Sequence, residues 1–291
     1  MTGTAPWIDR AWHRLPAPAR AIVRSGRRAW QRVSAFPADA FDAWRYPTRL
    51  LPPRSLRFVG DGDFETIGAE FLQHFVSLGG LEPQHHVLDV GSGVGRMAVP
   101  LTAFLLPAAS YDGFDIVGAG VSWCRRRITP RFPHFRFHHA DVFNSRYNPG
   151  GRQQARTFRF PYDDRSFDFA FATSLFTHLL PDDADRYIAE MARVLRPGGR
   201  CLCTFFLVND EVARRSAEGR ALLDFRHRRG EAWVVDDDVP ENAAAYGETW
   251  VRGRYAEHGL IVRDPIHAGS WSGHPAPVTV QDSVVATKAD H

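Results

Sequence analysis

The apolar positions of this chain keep two rhythms. Between residues 64 and 78, Phe64, Ile67, Phe71, Leu72 and Phe75 recur at helical spacing, and Gly79-Gly80 stops the run. Seven shorter stretches read as strands: residues 86–90, 111–116, 135–140, 167–173, 200–208, 260–265 and 278–287. The connections after the first five are long enough for a helix, which predicts βαβ units and a parallel sheet. In the clearest crossover, residues 182–195, the set Ala184, Tyr187, Ile188, Met191, Val194 and Leu195 forms the buried stripe, and Pro197-Gly198-Gly199 ends it. Only a loop, residues 266–277, separates the sixth strand from the seventh, so the last strand should run antiparallel. The expected fold class is α/β, a seven-stranded and mostly parallel sheet with helices on both faces. Pro100 falls inside the helix expected after Gly95, where its missing N–H predicts a late start or a kink.

Composition refines this outline in a few places. A length of 291 residues with 44% hydrophobic content suits one large α/β domain or two small ones. No apolar run approaches the roughly 18–20 residues of a membrane span, and the first residues lack the apolar stretch of a signal peptide, so a cytoplasmic protein is expected. A net charge of +3 is too small to imply a nucleic-acid partner, but its distribution is uneven. Before residue 60 stand 11 arginines against three aspartates, Asp9, Asp39 and Asp42. Residues 1–60 are therefore read as an Arg-, Trp- and Pro-rich N-terminal extension, and residues 61–291 as the main domain, with 209–247 a lid or acceptor-binding insertion. One helix is expected over residues 19–34, where Ile22, Gly26, Ala29, Trp30 and Val33 share a stripe and arginines surround it. Such a helix suits an anionic membrane surface, although docking on the chain's own domain is the commoner use. Three cysteines make an odd set; Cys201 and Cys203 are read as facing opposite sides of a strand, and neither a disulfide framework nor a zinc site is expected.

Candidate chemistry concentrates in His86-Val-Leu-Asp-Val-Gly-Ser-Gly-Val-Gly-Arg96. An apolar strand reaches an acid, Asp89, and Gly91, Gly93 and Gly95 follow at alternate positions before a helix. Glycines there admit positive φ and bring backbone N–H groups against a ligand, and the helix N-terminus adds positive partial charge. Two ligands compete for such a turn. The dinucleotide fingerprint Gly-x-Gly-x-x-Gly needs its third glycine where Arg96 stands, and no Gly-Lys-Ser/Thr of a P-loop follows.

An alternate-glycine turn preceded by an acid resembles motif I of the class I S-adenosylmethionine-dependent methyltransferases. The resemblance continues through Tyr111-Asp-Gly-Phe-Asp-Ile116, His138-His-Ala-Asp-Val142, Ser166-Phe-Asp-Phe-Ala-Phe-Ala-Thr-Ser174 and Arg193-Val-Leu-Arg-Pro-Gly-Gly199, covering residues about 64–208. It implies a Rossmann-like sheet and S-adenosylmethionine as cofactor. Asp115 would then bind the ribose hydroxyls, Asp141 the adenine amino group with the Val142 N–H as a base contact, and Asp89 the methionyl ammonium. Arg96 would meet the methionyl carboxylate or face solvent. Gly91, Ser92, Gly93, Gly95, Ile116 and Ser174 complete the implied cofactor contacts. The chemistry agrees: a ribose diol offers two donors to a carboxylate, whereas a phosphate-bearing ligand demands a cation. An NAD(P)-dependent oxidoreductase is the alternative enzyme class. A methyltransferase-fold module without activity, binding a partner or membrane through the Arg-rich arm, is the alternative outside enzymology.

Transfer of a methyl group from a sulfonium is an in-line displacement on an activated donor, so positioning matters most. Thr173-Ser-Leu-Phe-Thr-His-Leu-Leu leaves the sheet at its ligand-binding edge, which makes His178 the candidate general base. The Asp/Asn-Pro-Pro-Tyr/Phe motif of amino-methylating DNA enzymes is replaced by Thr-Ser-Leu-Phe, and no Pro-Cys nucleophile stands out, so DNA is not the expected acceptor. No metal is expected either, because the acidic set of catechol-type enzymes is not evident at Thr173-Ser174. The expected partner is a small-molecule acceptor, a sugar, polyketide or other secondary metabolite, methylated on oxygen or nitrogen. Acceptor choice is assigned to the loops 144–160, 209–247 and 269–274, where Tyr147 and Trp271 either line a pocket or pack in the core.

Overall fold

The computed structural model describes residues 62–290 throughout and, before them, residues 39, 45 and 48–57. The chain divides into two units, Met1–Asp61 and Gly62–His291. Within the first, a 3-10 turn covers Arg54–Leu56, and the Arg54 N–H donates to Asp39 at 2.7 Å. The helix expected over residues 19–34 lies outside the described residues.

The second unit opens with α1 (Phe64–Ser77), capped by Asp63, whose side chain accepts the Thr66 N–H. Two strand–helix repeats and a third strand follow: β1 (His86–Val90), α2 (Ala98–Phe104), β2 (Ser110–Asp115), α3 (Gly118–Arg127), then β3 (Phe135–His139). After them come β4 (Phe167–Ala172), α4 (Pro181–Val194) and β5 (Leu195–Phe205). The chain continues with β6 (Leu207–Val208), α5 (Asp210–Ala217), β7 (His227–Arg229), β8 (Ala232–Val234) and β9 (Ala244–Gly247). The chain closes with α6 (Glu248–Glu257), β10 (Leu260–Val262) and β11 (Asp282–Lys288).

Seven of these strands form one sheet in the order β10-β11-β5-β4-β1-β2-β3. All pairs are parallel except those of β11, which runs antiparallel to both β5 and β10. The chain thus enters the sheet at its centre, winds outward through β2 and β3, and returns to place β4 on the other side of β1. That reversal opens a crevice at the C-terminal ends of β1 and β4, where ligands of doubly wound sheets sit. The expected class, the strand count in this sheet and the antiparallel last strand are all observed.

Local departures have local causes. Helix α2 starts at Ala98, so Pro100 occupies the first turn, where its N–H would have no intrahelical partner anyway. Helix α4 begins at Pro181, so Asp182 and Asp183 lie in its first turn beside the positive end of the helix dipole. The strand expected over 200–208 is interrupted at Phe206: β5 belongs to the large sheet and β6 to a second sheet, ordered β6-β9-β8-β7. Cys201 and Cys203 share one face, because side chains repeat every second residue along a strand, and both enter the same core cluster. The expectation of opposite faces was wrong.

The core is aromatic. On the face that carries α1, Phe75 stacks on Phe171 with centroids 4.3 Å apart, and Phe169 meets Phe75 edge-on. Elsewhere Phe114, Phe158, Phe160 and Tyr187 pack together. Each such ring, removed from water, contributes roughly 1.5–3 kcal/mol. Rigid strands packed this way hold the C-terminal edge of the sheet in a fixed arrangement.

Candidate active site

The glycine turn is built by its neighbours as much as by its glycines. Gly91, Gly93 and Gly95 have φ of 89°, 54° and 75°, the left-handed region that favours glycine. Gly91 and Ser92 both donate their N–H groups to the Phe114 carbonyl at 2.9 Å, folding the turn over the end of β2. On the far side α3 approaches so closely that a Cβ on Gly120 would lie 2.4 Å from the Gly93 carbonyl oxygen. Leu175, after β4, covers Gly91, where a Cβ would meet its side chain at 3.3 Å.

Asp115 ends β2 and is 9% exposed. One carboxylate oxygen accepts the Gly93 N–H at 2.8 Å and the other the Val117 N–H at 2.7 Å. Burial raises its pKa, and those backbone donors oppose the rise. A carboxylate has about four acceptor positions, so two remain for a ligand. The Ala140 N–H donates to the Asp115 carbonyl at 3.0 Å, which places the end of β3, and the Asp141-Val142 pair after it, beside Asp115. Asp141 receives Arg152 Nε at 2.5 Å, and that guanidinium holds its carboxyl below the usual range. Val142 is buried and bridges to Gln153.

Asp89 is 1% exposed. Its Oδ2 accepts the Tyr111 hydroxyl at 2.5 Å, while Oδ1 has no hydrogen-bond partner. Burial pushes its pKa up to about 8, opposed by the Tyr111 bond and reinforced by the Asp115 charge. The Ser92 hydroxyl is likewise buried and without a partner. Two polar groups at one turn have therefore given up water without full repayment inside the protein. Neither Asp89 nor Asp115 has an ion-pair partner among the described residues. Two such carboxylate acceptors fit a ligand that brings a cation and a diol, as S-adenosylmethionine does, and their charge disfavours a phosphate.

The remaining expected residues divide. Ile116 accepts His139 Nε2 at 3.2 Å through its carbonyl and packs against the core. Ser174 has a φ of 54°; its N–H donates to Thr204 Oγ1 at 2.8 Å, and its hydroxyl to Gln281 Oε1 at 3.2 Å. Arg96 lies with its guanidinium carbon 5.8 Å from the Phe64 ring centroid, on α1. His138 pairs with Asp112, as Arg136 does, on the opposite face of β2 from Asp115. Trp271 is core: 1% exposed, packed on Phe206 and Phe225, with Nε1 donating to Asp282 at 2.7 Å. Of the two aromatics offered for an acceptor pocket, only Tyr147 lies beside a candidate catalytic group.

His178 sits in the 3-10 turn Phe176–His178. Its Nδ1 is 2.8 Å from the Glu241 carbonyl oxygen, which can only accept, so the neutral ring carries its proton on Nδ1 and leaves Nε2 as an acceptor. The Tyr147 hydroxyl stands 3.4 Å from Nε2, with the two rings edge to face. Asn144 fixes Tyr147 by accepting its N–H at 3.0 Å, and Arg146 reaches Asn242 at 2.7 Å. Burial lowers the His178 pKa to about 4. Three segments thus meet at one imidazole: the loop after β3, the turn after β4 and the residues before β9. Tyr246 on β9 reinforces the junction by donating to the Leu179 carbonyl at 2.6 Å.

Tyr111, Leu175, Thr204 and the Glu241 carbonyl were not anticipated. A signal existed for Tyr111, since Tyr111, Gly113 and Asp115 alternate along β2 onto one face. The other three depend on long-range packing that no local pattern records. Among the described residues no group of histidines, cysteines or acids is arranged to hold a metal ion. No helix of the described residues is long and apolar enough to cross a membrane.

Comparison with known proteins falls on the same residues. Residues 88–203 match the model of a methyltransferase domain. Over 151 residues the chain is 34% identical to a phthiotriol/phenolphthiotriol dimycocerosates methyltransferase 1 of Mycobacterium ulcerans, covering 51% of this chain and 48% of that one. It is also 34% identical over 118 residues to a fatty-acid O-methyltransferase of Mycolicibacterium smegmatis, covering 40% and 36%. The chain spans about half the length, or less, of these curated relatives. In fold it resembles the 1,6-didemethyltoxoflavin-N1-methyltransferase of Burkholderia thailandensis, solved with S-adenosylhomocysteine, at a TM-score of 0.50 and 17% identity over 95% of this chain and 91% of that one. With the glycine turn, the acids that follow it and the strand order all in agreement, residues 88–203 form a methyltransferase domain of the class I S-adenosylmethionine-dependent kind.

Proposed function

We propose that this protein transfers the methyl group of S-adenosylmethionine to an oxygen of a small-molecule acceptor. The observation that carries the reading is the pair Asp89 and Asp115 around the glycine turn: one buried carboxylate with a bare oxygen, and one that braces the turn with acceptor positions to spare. In this reading Asp115 takes the ribose hydroxyls, Asp141 and Val142 face the adenine, Asp89 takes the ammonium, and Gly91, Ser92, Gly93 and Gly95 let the backbone approach. Ile116 and Ser174 line the ends of β2 and β4, and Arg96 closes the methionyl end. The cofactor supplies a methyl group on a sulfonium leaving group. The protein's own part is placement, which in well-oriented reactions is worth roughly 7–11 kcal/mol.

Oxygen is favoured over nitrogen because His178 presents a neutral Nε2 that can take a hydroxyl proton. A fatty acid and phthiotriol dimycocerosates appear in the relatives' names, which supports an acceptor with an oxygen function on an apolar body. The insertion over 209–247 supplies the Glu241 carbonyl that orients His178, and we assign it a part in holding the acceptor.

Titration calorimetry with S-adenosylhomocysteine and with NADH separates the cofactor readings: binding of the first alone is expected, and binding of NADH alone would overturn the proposal. Incubation of the protein with labelled S-adenosylmethionine and panels of hydroxy and carboxylic lipids, polyketides and sugars then identifies the acceptor by mass spectrometry.

A further inference from the structure

The contact between Tyr111 and Asp89 does something that the motif does not require. Tyr111 opens the buried face of β2, opposite Val87, and its ring packs between Phe135 at 4.8 Å and Phe137 at 5.4 Å. From there the hydroxyl reaches back along the sheet to Asp89 Oδ2. The path is open because Gly113 lies opposite Asp89: a Cβ at Gly113 would stand 3.0 Å from the Tyr111 hydroxyl and 2.9 Å from the Ser92 Cβ. Both partners are closed off, Tyr111 at 0% and Asp89 at 1% exposure, so no solvent competes for the bond.

We propose that Tyr111 is a positioning residue for the cationic end of the cofactor, its hydroxyl fixing Oδ2 of Asp89 so that Oδ1 alone is presented to the incoming ammonium. The inference rests on the cofactor reading above and adds a residue to it. A carboxylate with no partner on either oxygen turns about its Cβ–Cγ bond, and each of its orientations leaves charge unsatisfied. A phenol held by the stacked Phe135 ring and the tilted Phe137 ring removes that freedom, and its hydrogen bond favours the ionised form that an ammonium needs. The titratable groups whose charge reaches Asp89 are Tyr111 and Asp115 from β2, the Cys124 thiol from α3 and the Tyr162 phenol before β4, and none is a cation. The positive charge that completes this arrangement comes with the ligand.

Two ligands test the claim by calorimetry. S-adenosylhomocysteine carries the amino-acid end; 5′-methylthioadenosine has the same nucleoside and lacks it. Tyr111→Phe keeps the ring and its packing, and is expected to weaken S-adenosylhomocysteine about tenfold, the usual loss for a hydrogen bond to a charged group, while leaving methylthioadenosine unchanged. In an Asp89→Asn background the same change should add little further loss. Equal weakening of both ligands would make Tyr111 merely structural and overturn the proposal, as would no weakening of either. If the unaltered protein binds neither ligand, the cofactor reading itself fails, and the two failures are distinguished.

Discussion

Asp115, at the end of β2, accepts the backbone N–H of Gly93 at 2.8 Å, so the acid assigned to the ribose also holds the glycine turn in shape. Its other oxygen does the same for the loop that opens α3, through Val117. Replacement by asparagine would turn an amide NH2 toward one of those N–H groups. Asp115→Asn should therefore weaken S-adenosylhomocysteine by tenfold or more and lower stability by about 1–3 kcal/mol, both from a buried donor left unmet. Calorimetry and urea denaturation would measure the two losses, and a variant that lost affinity with unchanged stability would leave the bracing role without support.

The approach of α3 to the turn reverses an ordinary expectation. Glycine within a helix usually gives way to alanine with a gain of roughly 0.5–1 kcal/mol. At Gly120 the added methyl would meet the Gly93 carbonyl oxygen at 2.4 Å, a backbone atom that cannot step aside alone. Gly120→Ala should destabilise the protein, by about 1–3 kcal/mol as overpacking does, and reduce cofactor affinity by displacing the turn. Gly253→Ala in α6, where a methyl meets nothing within 4 Å, is the control and should be neutral or stabilising. Thermal denaturation of the two variants would show opposite signs.

What the chain displayed in its sequence was whatever repeats at short range. Period-two and period-3.6 patterns revealed the seven strands of the large sheet and α4, and Pro100 marked the late start of α2. Residues 207–247 were opaque because β6 to β9 are two to four residues long, too short to display alternation, and β6 continues the apolar run of β5. At the candidate site, the acids stand out in sequence because each lies at or just past the C-terminal end of a strand, and the glycines because of their spacing. Their partners were not: Asp89 meets Tyr111 across 22 positions and His178 meets Glu241 across 63. Trp271, whose loop allowed either a pocket or a core role, is in the core, where Asp282 accepts its indole N–H.

Buried without a counter-ion, Asp89 should make stability depend on pH in the direction opposite to a salt-bridged acid. Its folded pKa stands near 8, against 3.8 for the ordinary side chain. Between those values the folded protein holds a proton that the unfolded chain releases, so stability falls as pH rises through the window from about 4 to about 8. Asp89→Asn removes the dependence, and the variant should unfold at a higher temperature than the unaltered protein at pH 8 while binding S-adenosylhomocysteine far more weakly. Equal pH slopes for the two proteins would show that Asp89 is ionised at no cost.

His178 allows its two roles to be separated with one pair of variants. The ring ties the turn after β4 to the insertion through Nδ1 and the Glu241 carbonyl, and offers Nε2 beside Tyr147. Asparagine places an amide N–H near the position of Nδ1 and nothing at Nε2; alanine removes both. If Nε2 takes the acceptor's proton, His178→Asn should lose turnover by about 10²–10⁴-fold with stability nearly kept, and His178→Ala should lose both. Because burial lowers the His178 pKa to about 4, the imidazole is neutral at every pH above that value. The acidic limb of kcat/KM should accordingly fall well below pH 6.5, and the contribution of His178 to stability should be lost as pH drops from 6.5 toward 4, where the unfolded histidine binds a proton that the folded one refuses. Full turnover in His178→Asn would confine the residue to tying the two segments together and leave methyl transfer to placement alone.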